Sequence, residues 1–229
     1  MMELNKLYLM DCMEGMKQFP DGYFELAIVD PPYGIDLKWN QLGKIGIRKD
    51  GSVRSNLDID RISCVEYENK DWDRKPDPEY FEELFRVSKK QIILGGNYFP
   101  LPLTAGWIVW DKKQSMPSLS KCELAWTSFL GHVEYFCHVW SGFHKGPESG
   151  KTKRIHPTQK PVKLYKALLE HYAKPGDKIL DTHVGSGSSL IACHDAGHDY
   201  VGFELDADYH AAASKRIEGH KTQMSILET

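Results

Sequence analysis

Apolar and polar positions follow two rhythms along the chain. Short, almost continuous apolar runs rich in β-branched and aromatic residues fall at 23–30 (YFELAIVD), 91–96 (QIILGG), 106–111 (GWIVWD), 132–140 (HVEYFCHVW), 177–184 (DKILDTHV) and 199–206 (DYVGFELD). Runs of this kind predict strands covered on both faces. Segments with helical spacing lie between them. Residues 77–88 (DPEYFEELFRVS) offer Asp77 as an N-cap and Pro78 in the first turn. Residues 161–173 (PVKLYKALLEHYA) put Leu164, Leu168 and Tyr172 on one face, and Pro175-Gly176 stops them. Residues 188–197 and 206–219 are each predicted to be helices that end on a glycine, Gly197 and Gly219. Strands alternating with helices predict an α/β domain, a doubly wound and mostly parallel sheet. Residues 36–75 and 112–155 break the rhythm and read as insertions into a single domain spanning 1–229.

Composition narrows the class without naming it. A chain of 229 residues with 41% hydrophobic and 27% charged residues suits one substantial globular core. No apolar run reaches the roughly 18 residues of a membrane span, and the N-terminus lacks a signal-peptide layout, so neither a membrane nor export is expected. Five scattered cysteines without a C-x-x-C pair fit a reduced interior better than a disulfide framework or a zinc site. The histidines show no metal-ligand spacing, and no metal is expected. A net charge of −3 argues against indiscriminate coating of nucleic acid. Its distribution is uneven, however. Lys38, Lys44, Arg48, Lys49 and Arg54 cluster in residues 38–54, and Lys145, Lys151, Lys153 and Arg154 in residues 143–154. Basic loops on a mildly acidic body suit local contact with phosphates, or are plain solvated surface.

Two motifs carry chemistry. The first is DTHVGSGSS, where a strand ending at Asp181 meets the turn Gly185-Ser186-Gly187 and a helix opens at once. Glycines serve a sharp turn whose backbone must approach a ligand, although such turns also carry glycine for shape alone. Glu204 follows Gly185 by 19 residues at the end of the next strand, the place for a carboxylate that accepts from ribose hydroxyls. The third glycine of the dinucleotide fingerprint is missing, so a ligand with a ribose and no phosphates fits better. S-adenosylmethionine is such a ligand. The second motif is Asp30-Pro31-Pro32-Tyr33, directly after a predicted strand. Taken alone it reads more readily as a strand-ending turn. Beside a nucleotide pocket it reads as a site: two prolines hold the backbone extended, so that the Asp30 carboxylate and the Pro31 carbonyl are aimed in advance.

Together these motifs resemble the amino-group DNA methyltransferases that carry a DPPY signature. The order, catalytic motif first and cofactor glycines late, is similar to the permuted group often called the beta class, found in bacteria and their phages. The resemblance covers residues 3–34, 77–111, 122–129 and 154–218, and includes HPTQKP at 156–161. It implies a Rossmann-like fold and methyl transfer from S-adenosylmethionine to the N6 amino group of an adenine flipped out of double-stranded DNA. Asp30 and the Pro31 carbonyl would accept from that amino group, Pro32 would stiffen the segment, and Tyr33 would stack on the base. Asp11 and Cys12 would lie by the cofactor's adenine, and His156, Thr158, Gln159 and Lys160 along its methionine part, with Lys160 and Thr158 meeting its carboxylate. Asp181, His183, Gly185, Ser186, Gly187 and Glu204 complete the expected cofactor set. A bacterial cytoplasm, a restriction-modification setting and a homodimer as one candidate assembly follow from the same resemblance. The family usually has Asp-Pro-Phe where this chain has Asp181-Thr182-His183, so a titrating imidazole and pH-dependent binding are expected there. Methylation of cytosine N4 is the nearest alternative, since a leading Ser leans towards cytosine and a leading Asp towards adenine. A silent cofactor- or DNA-binding module is the alternative of a different class.

Overall fold

The structure, a computed structural model, describes residues 2–35, 73–113, 120–138 and 155–227. In chain order the elements are β1 (Lys6–Leu9), α1 (Cys12–Met16), β2 (Leu26–Val29), α2 (Pro78–Val87), β3 (Gln91–Leu94), one 3-10 turn (Gly96–Tyr98), β4 (Trp107–Asp111), β5 (Cys122–Thr127), β6 (Val133–Cys137), α3 (Val162–Tyr172), β7 (Lys178–Asp181), α4 (Ser188–Asp195), β8 (Asp199–Glu204) and α5 (Ala207–Leu227). The chain forms two compact units, Met1–Pro31 with Pro76–Thr229, and Pro32–Lys75.

Among the described residues, the first unit holds one sheet of eight strands in the order β1-β8-β7-β2-β3-β5-β4-β6. Strands β1, β8, β7, β2 and β3 pair in parallel, as do β4 and β6, while β5 runs against both of its neighbours. Every residue of β2 and β3 is buried, as two-sided cover demands. Leu26, Ile28, Ile92 and Leu94 join Leu164, Leu168, Leu190 and Ile191 of α3 and α4 in one apolar cluster. Ala27, Val29 and Ile93 are equally buried outside it, as residues of the opposite face must be, alongside Met16, Tyr80, Phe81 and Leu84 of α1 and α2. Each such aliphatic side chain stabilises the fold by about 1.5–3 kcal/mol. Arg86 near the end of α2 pins the α1–β2 connection, donating to the carbonyls of Met16 (3.1 Å) and Phe19 (3.0 Å) and to Asp21 (2.7 Å).

The six predicted strands recur as β2, β3, β4, β6, β7 and β8, with narrower limits. Two further strands, β1 and β5, lacked a long apolar run. The helix at 188–197 ends as expected: Gly197 (φ +70°) donates to His194 and His198 donates to Cys193, the double bond pattern of a glycine-terminated helix. The helix at 206–219 does not. It runs through Gly219 to Leu227, because a Cβ at Gly219 would meet nothing within 4 Å and a glycine in an exposed helix interior costs only about 1 kcal/mol. Asp77 occupies the N-cap of α2 before Pro78, but its side chain makes no capping bond.

In the second unit the described residues are 32–35 and 73–75. The Asp73 carboxylate accepts from the backbone N–H of Gly34 (2.9 Å) and of Ile35 (3.1 Å), and Gly34 adopts φ +64°. One acid thus clasps the two ends of the 36–72 segment.

Candidate active site

Strand order reverses between β7 and β2. The β7-α4-β8 unit winds one way and β2-α2-β3 the other, so the loops leaving the carboxyl ends of β7 and β2 part and open a crevice. Asp181 is the last residue of β7, and Asp30 follows the last residue of β2. Two carboxylates far apart in sequence therefore flank one switch point.

Beside Asp30 lies a chain of alternating charges. Because β5 is reversed, its first residues reach the edge where the parallel strands end, Cys122 opposite Asp111 and Glu123 opposite Trp110. Lys160 donates to Asp30 Oδ2 and sits 3.6 Å from Glu123 Oε2, while Glu123 Oε1 pairs with Lys112. The Lys160 side chain is 5% exposed and that of Asp30 12%. Burial alone would push the Lys160 ammonium pKa down, but the charges of Asp30 and Glu123 outweigh it and hold it raised. Burial likewise opposes ionisation of Glu123, and Lys160 and Lys112 reverse that, holding its carboxyl below the usual range.

The glycine turn faces Glu204. Gly185 (φ +54°) and Gly187 (φ +78°) adopt the left-handed region that favours glycine. Gly185 donates to Glu204 Oε2 (2.8 Å), and Asp206 donates to Glu204 Oε1 (2.9 Å). Burial raises the Glu204 pKa, against these two backbone bonds. His156 covers the turn: a Cβ on Gly185 would stand 3.4 Å from its Nδ1. Its ring meets Tyr209 edge-on at 4.4 Å, and the Thr158 N–H reaches its Nδ1 at 3.3 Å. Gln159 is buried, its side-chain oxygen accepting from Ile155 (3.0 Å). Arg216 donates to the Ser186 carbonyl (2.7 Å) and to Ser188 Oγ (2.9 Å). At the end of β1, Asp11 caps α1 through Oδ1 to the Met13 N–H (2.8 Å). Burial, then the Asp11 charge, pushes the adjacent Cys12 thiol up to about 12, which leaves it unreactive near neutrality.

Asp181 is 1% exposed and accepts from Ser189 Oγ and from the His183 N–H (2.9 Å). Burial pushes its pKa up to about 7, with Asp30 and Glu204 adding to the rise against those two bonds. Burial lowers His183 to about 4, against a small opposing effect of Asp11. Its ring lies edge-on to Tyr80 at 5.2 Å, and Thr182 Oγ1 bridges the Tyr80 hydroxyl (2.6 Å) and His183 Nδ1 (3.0 Å). The expectation of a titrating imidazole is therefore corrected: His183 is a neutral ring in this crevice at neutral pH, and Asp181 is the group that titrates near 7. The folded pKa of Asp181 lies above its unfolded value, so its protonation favours the fold at low pH and that contribution fades as pH rises through about 7. Asp181→Asn should accordingly gain thermal stability relative to the wild type between pH 5 and pH 8. Melting curves across that range check it, and a difference independent of pH would refute it.

Asp11, Cys12, Asp30, Pro31, His156, Thr158, Gln159, Lys160, Asp181, His183, Gly185, Ser186, Gly187 and Glu204 all belong to the first unit. Pro32 and Tyr33 belong to the second. Lys38, Lys44, Arg48, Lys49, Arg54, Lys145, Lys151, Lys153 and Arg154 lie outside the described residues. Among the described residues no three His, Cys, Asp or Glu side chains are grouped to hold a metal ion, and no helix is long and apolar enough to cross a membrane. Sequence reading missed Glu123, Lys112 and Tyr80.

A doubly wound, mostly parallel sheet with a glycine turn at one side of its switch point is a Rossmann-like fold. Residues 130–215 match the model of a family described as DNA methylase, of the N6/N4 type. The type II methyltransferase M.HinfI of Haemophilus influenzae is 26% identical over 273 aligned residues, covering 98% of this chain and 71% of that protein. Among solved structures, the M1.HpyAVI–SAM complex superposes with a TM-score of 0.56 at 19% identity, covering 92% of this chain and 98% of its own. The PvuII cytosine-N4-specific DNA methyltransferase gives 0.55 at 14% identity, covering 95% and 91%.

Proposed function

We propose that this chain transfers a methyl group from S-adenosylmethionine to the N6 amino group of adenine in double-stranded DNA. The observation that carries the reading is the placement of Asp30: a partly buried carboxylate at the end of a central strand, across the switch point from a glycine turn whose neighbouring acid, Glu204, suits a ribose. The crevice fits that cofactor. Arg216, the cation at the turn, is engaged with Ser186 and Ser188, which agrees with a ligand lacking phosphates. Glu204 would hold the ribose hydroxyls, Asp11 and Cys12 the adenine, and His156, Thr158 and Gln159 the amino-acid end. When bound, S-adenosylmethionine supplies a methyl carbon activated by its sulfonium.

The protein's task is to make a poor nucleophile competent. The lone pair of an adenine amino nitrogen is delocalised into the ring. Acceptors on both N–H bonds, Asp30 and the Pro31 carbonyl, draw the nitrogen towards a pyramid and localise that pair. The new N–C bond forms as the C–S bond breaks, and the methylated nitrogen then releases one proton to Asp30 or to water. Holding the partners in line contributes up to about 7–11 kcal/mol of the barrier. From its sequence position alone, Tyr33 is the proposed stacking face for the extruded base. The basic residues of 38–54 and 143–154 are the proposed phosphate contacts, and 36–75 and 112–155 the proposed target-reading insertions. A bacterial cytoplasm and a homodimer belong to the same proposal.

The decisive experiment treats unmethylated DNA with the purified protein and labelled S-adenosylmethionine, then digests it to nucleosides for mass spectrometry. N6-methyladenine is the expected product. N4-methylcytosine would move the assignment to the cytosine enzymes, and a cofactor-binding protein that labels neither base would overturn the reading for a silent module.

A further inference from the structure

We propose that Tyr80 and Thr182 are positioning residues for His183: they fix its ring as the tautomer protonated at Nε2, a hydrogen-bond donor to the nucleoside half of S-adenosylmethionine. The proposal deepens the function above and rests on this crevice holding that cofactor.

Counting hydrogens decides the tautomer. Thr182 Oγ1 stands 2.6 Å from the Tyr80 hydroxyl oxygen and 3.0 Å from His183 Nδ1. Tyr80 is 3% exposed and Thr182 2%, so each hydroxyl hydrogen needs a partner inside the protein. Burial also holds the Tyr80 phenol well above its ordinary pKa, which keeps that hydrogen in place. If Nδ1 carried the ring's hydrogen, it would donate to Thr182. Either the threonine or the tyrosine hydrogen would then meet no acceptor among the described residues, and an unmatched buried donor is costly. One arrangement leaves none unmatched. Tyr80 donates to Thr182, Thr182 donates to Nδ1, and the ring's own hydrogen sits on Nε2.

The ring is held where a ligand can use that hydrogen. His183 lies between Asp181, the last residue of β7, and Gly185 of the turn, on a loop leaving the switch point. Its backbone N–H donates to Asp181 Oδ1 (2.9 Å), and its ring lies edge-on to Tyr80 at 5.2 Å. The residue is half-buried, and its Nε2 is not among the buried atoms that lack a partner. Burial lowers its pKa to about 4, so at neutral pH the ring offers a single N–H rather than a charge. The Asp11 charge reaches it, and Asp11 is the proposed partner of the cofactor's adenine. A sulfonium and its methyl cannot accept a hydrogen bond, whereas adenine ring nitrogens and ribose oxygens can. The acceptor that fits is on the nucleoside.

The test reads the tautomer and the ligand separately. Long-range nitrogen–proton correlation spectra of protein carrying isotope-labelled histidine distinguish a protonated from a bare ring nitrogen. The His183 signals, assigned by their absence from His183→Phe or His183→Gln, should show hydrogen on Nε2 at about pH 7. Tyr80→Phe and Thr182→Val should each turn that ring into a mixture of tautomers. Calorimetry then uses two probes, S-adenosylhomocysteine and methylthioadenosine, which share the nucleoside while the second lacks the amino-acid end. His183→Phe keeps an aromatic ring without the donor, and should weaken both probes by about fivefold (about 1 kcal/mol). Tyr80→Phe and Thr182→Val should weaken both by about two- to threefold, since part of the ring population still donates. If circular dichroism shows His183→Phe unfolded, Thr182→Val decides by the same two readouts. A wild-type ring protonated at Nδ1 would overturn the proposal, as would a tautomer unmoved in both Tyr80→Phe and Thr182→Val. So would undiminished affinity for both probes in His183→Phe. A loss confined to S-adenosylhomocysteine would put the donor at the amino-acid end and overturn the nucleoside assignment. Failure of the underlying reading looks different, since the wild type would then bind neither probe, whatever its tautomer.

Discussion

Asp30→Asn should lower kcat by at least about a hundredfold, the scale of removing one preorganised electrostatic partner. The substitution keeps the shape and one acceptor oxygen and removes only the charge. The amino nitrogen gains positive charge as its bond to carbon forms, so the carboxylate does most for the transition state and little for the bound substrate. Loss should consequently appear in kcat far more than in KM for DNA. S-adenosylmethionine affinity should stay near the wild-type value, because the N–H of Gly185 in the glycine turn is held by Glu204. Single-turnover assays with saturating cofactor measure the effect directly. A loss of only a few-fold would make Asp30 a turn residue and remove the central support of the functional proposal.

Glu204→Ala should weaken S-adenosylmethionine binding by one to two orders of magnitude. Hydrogen bonds to a charged group are worth about 1.5–3 kcal/mol, and a ribose offers two hydroxyl donors. The alanine also strips a partner from the N–H of Gly185 and of Asp206, which loosens the turn the ligand must meet. Glu204→Gln separates these effects, since its amide oxygen can still accept from one of them. Turnover at saturating cofactor should survive in both variants, a pattern opposite to that of Asp30→Asn. Calorimetry gives the affinities and circular dichroism controls for folding. Unchanged affinity in Glu204→Ala would remove the ribose assignment.

Much of this architecture was legible because burial writes itself into the chain. Strands covered on both faces must be apolar throughout, and β2 and β3 are. Strand β1 is only four residues long, KLYL, with both ends exposed, so its period carried no signal. Strand β5 begins with Cys122 and Glu123, and a charged residue at a strand's start reads as loop until its partner is known. That partner, Lys160, is 37 residues away, and Asp30 follows another strand altogether. No local pattern encodes such a meeting. Gly219 misled for a related reason: glycine ends a helix only where the backbone must turn left-handed, and exposure alone lets it pass. His183 shows the limit for electrostatics. Its residue type predicts titration near neutrality, but enclosure beside Tyr80 and Thr182 decides otherwise.

The clasp at Asp73 bears on how such a chain could diversify. Residues 36–72 depart and return where one carboxylate gathers Gly34 and Ile35, so the two ends of that stretch are already joined. Closing a longer chain between fixed ends is inexpensive, about 0.6 kcal/mol for each doubling of its length. Insertions, deletions or wholesale grafts between the clasped residues would thus add little to the cost of closing the chain. Natural variation, and protein engineers, have a cassette there.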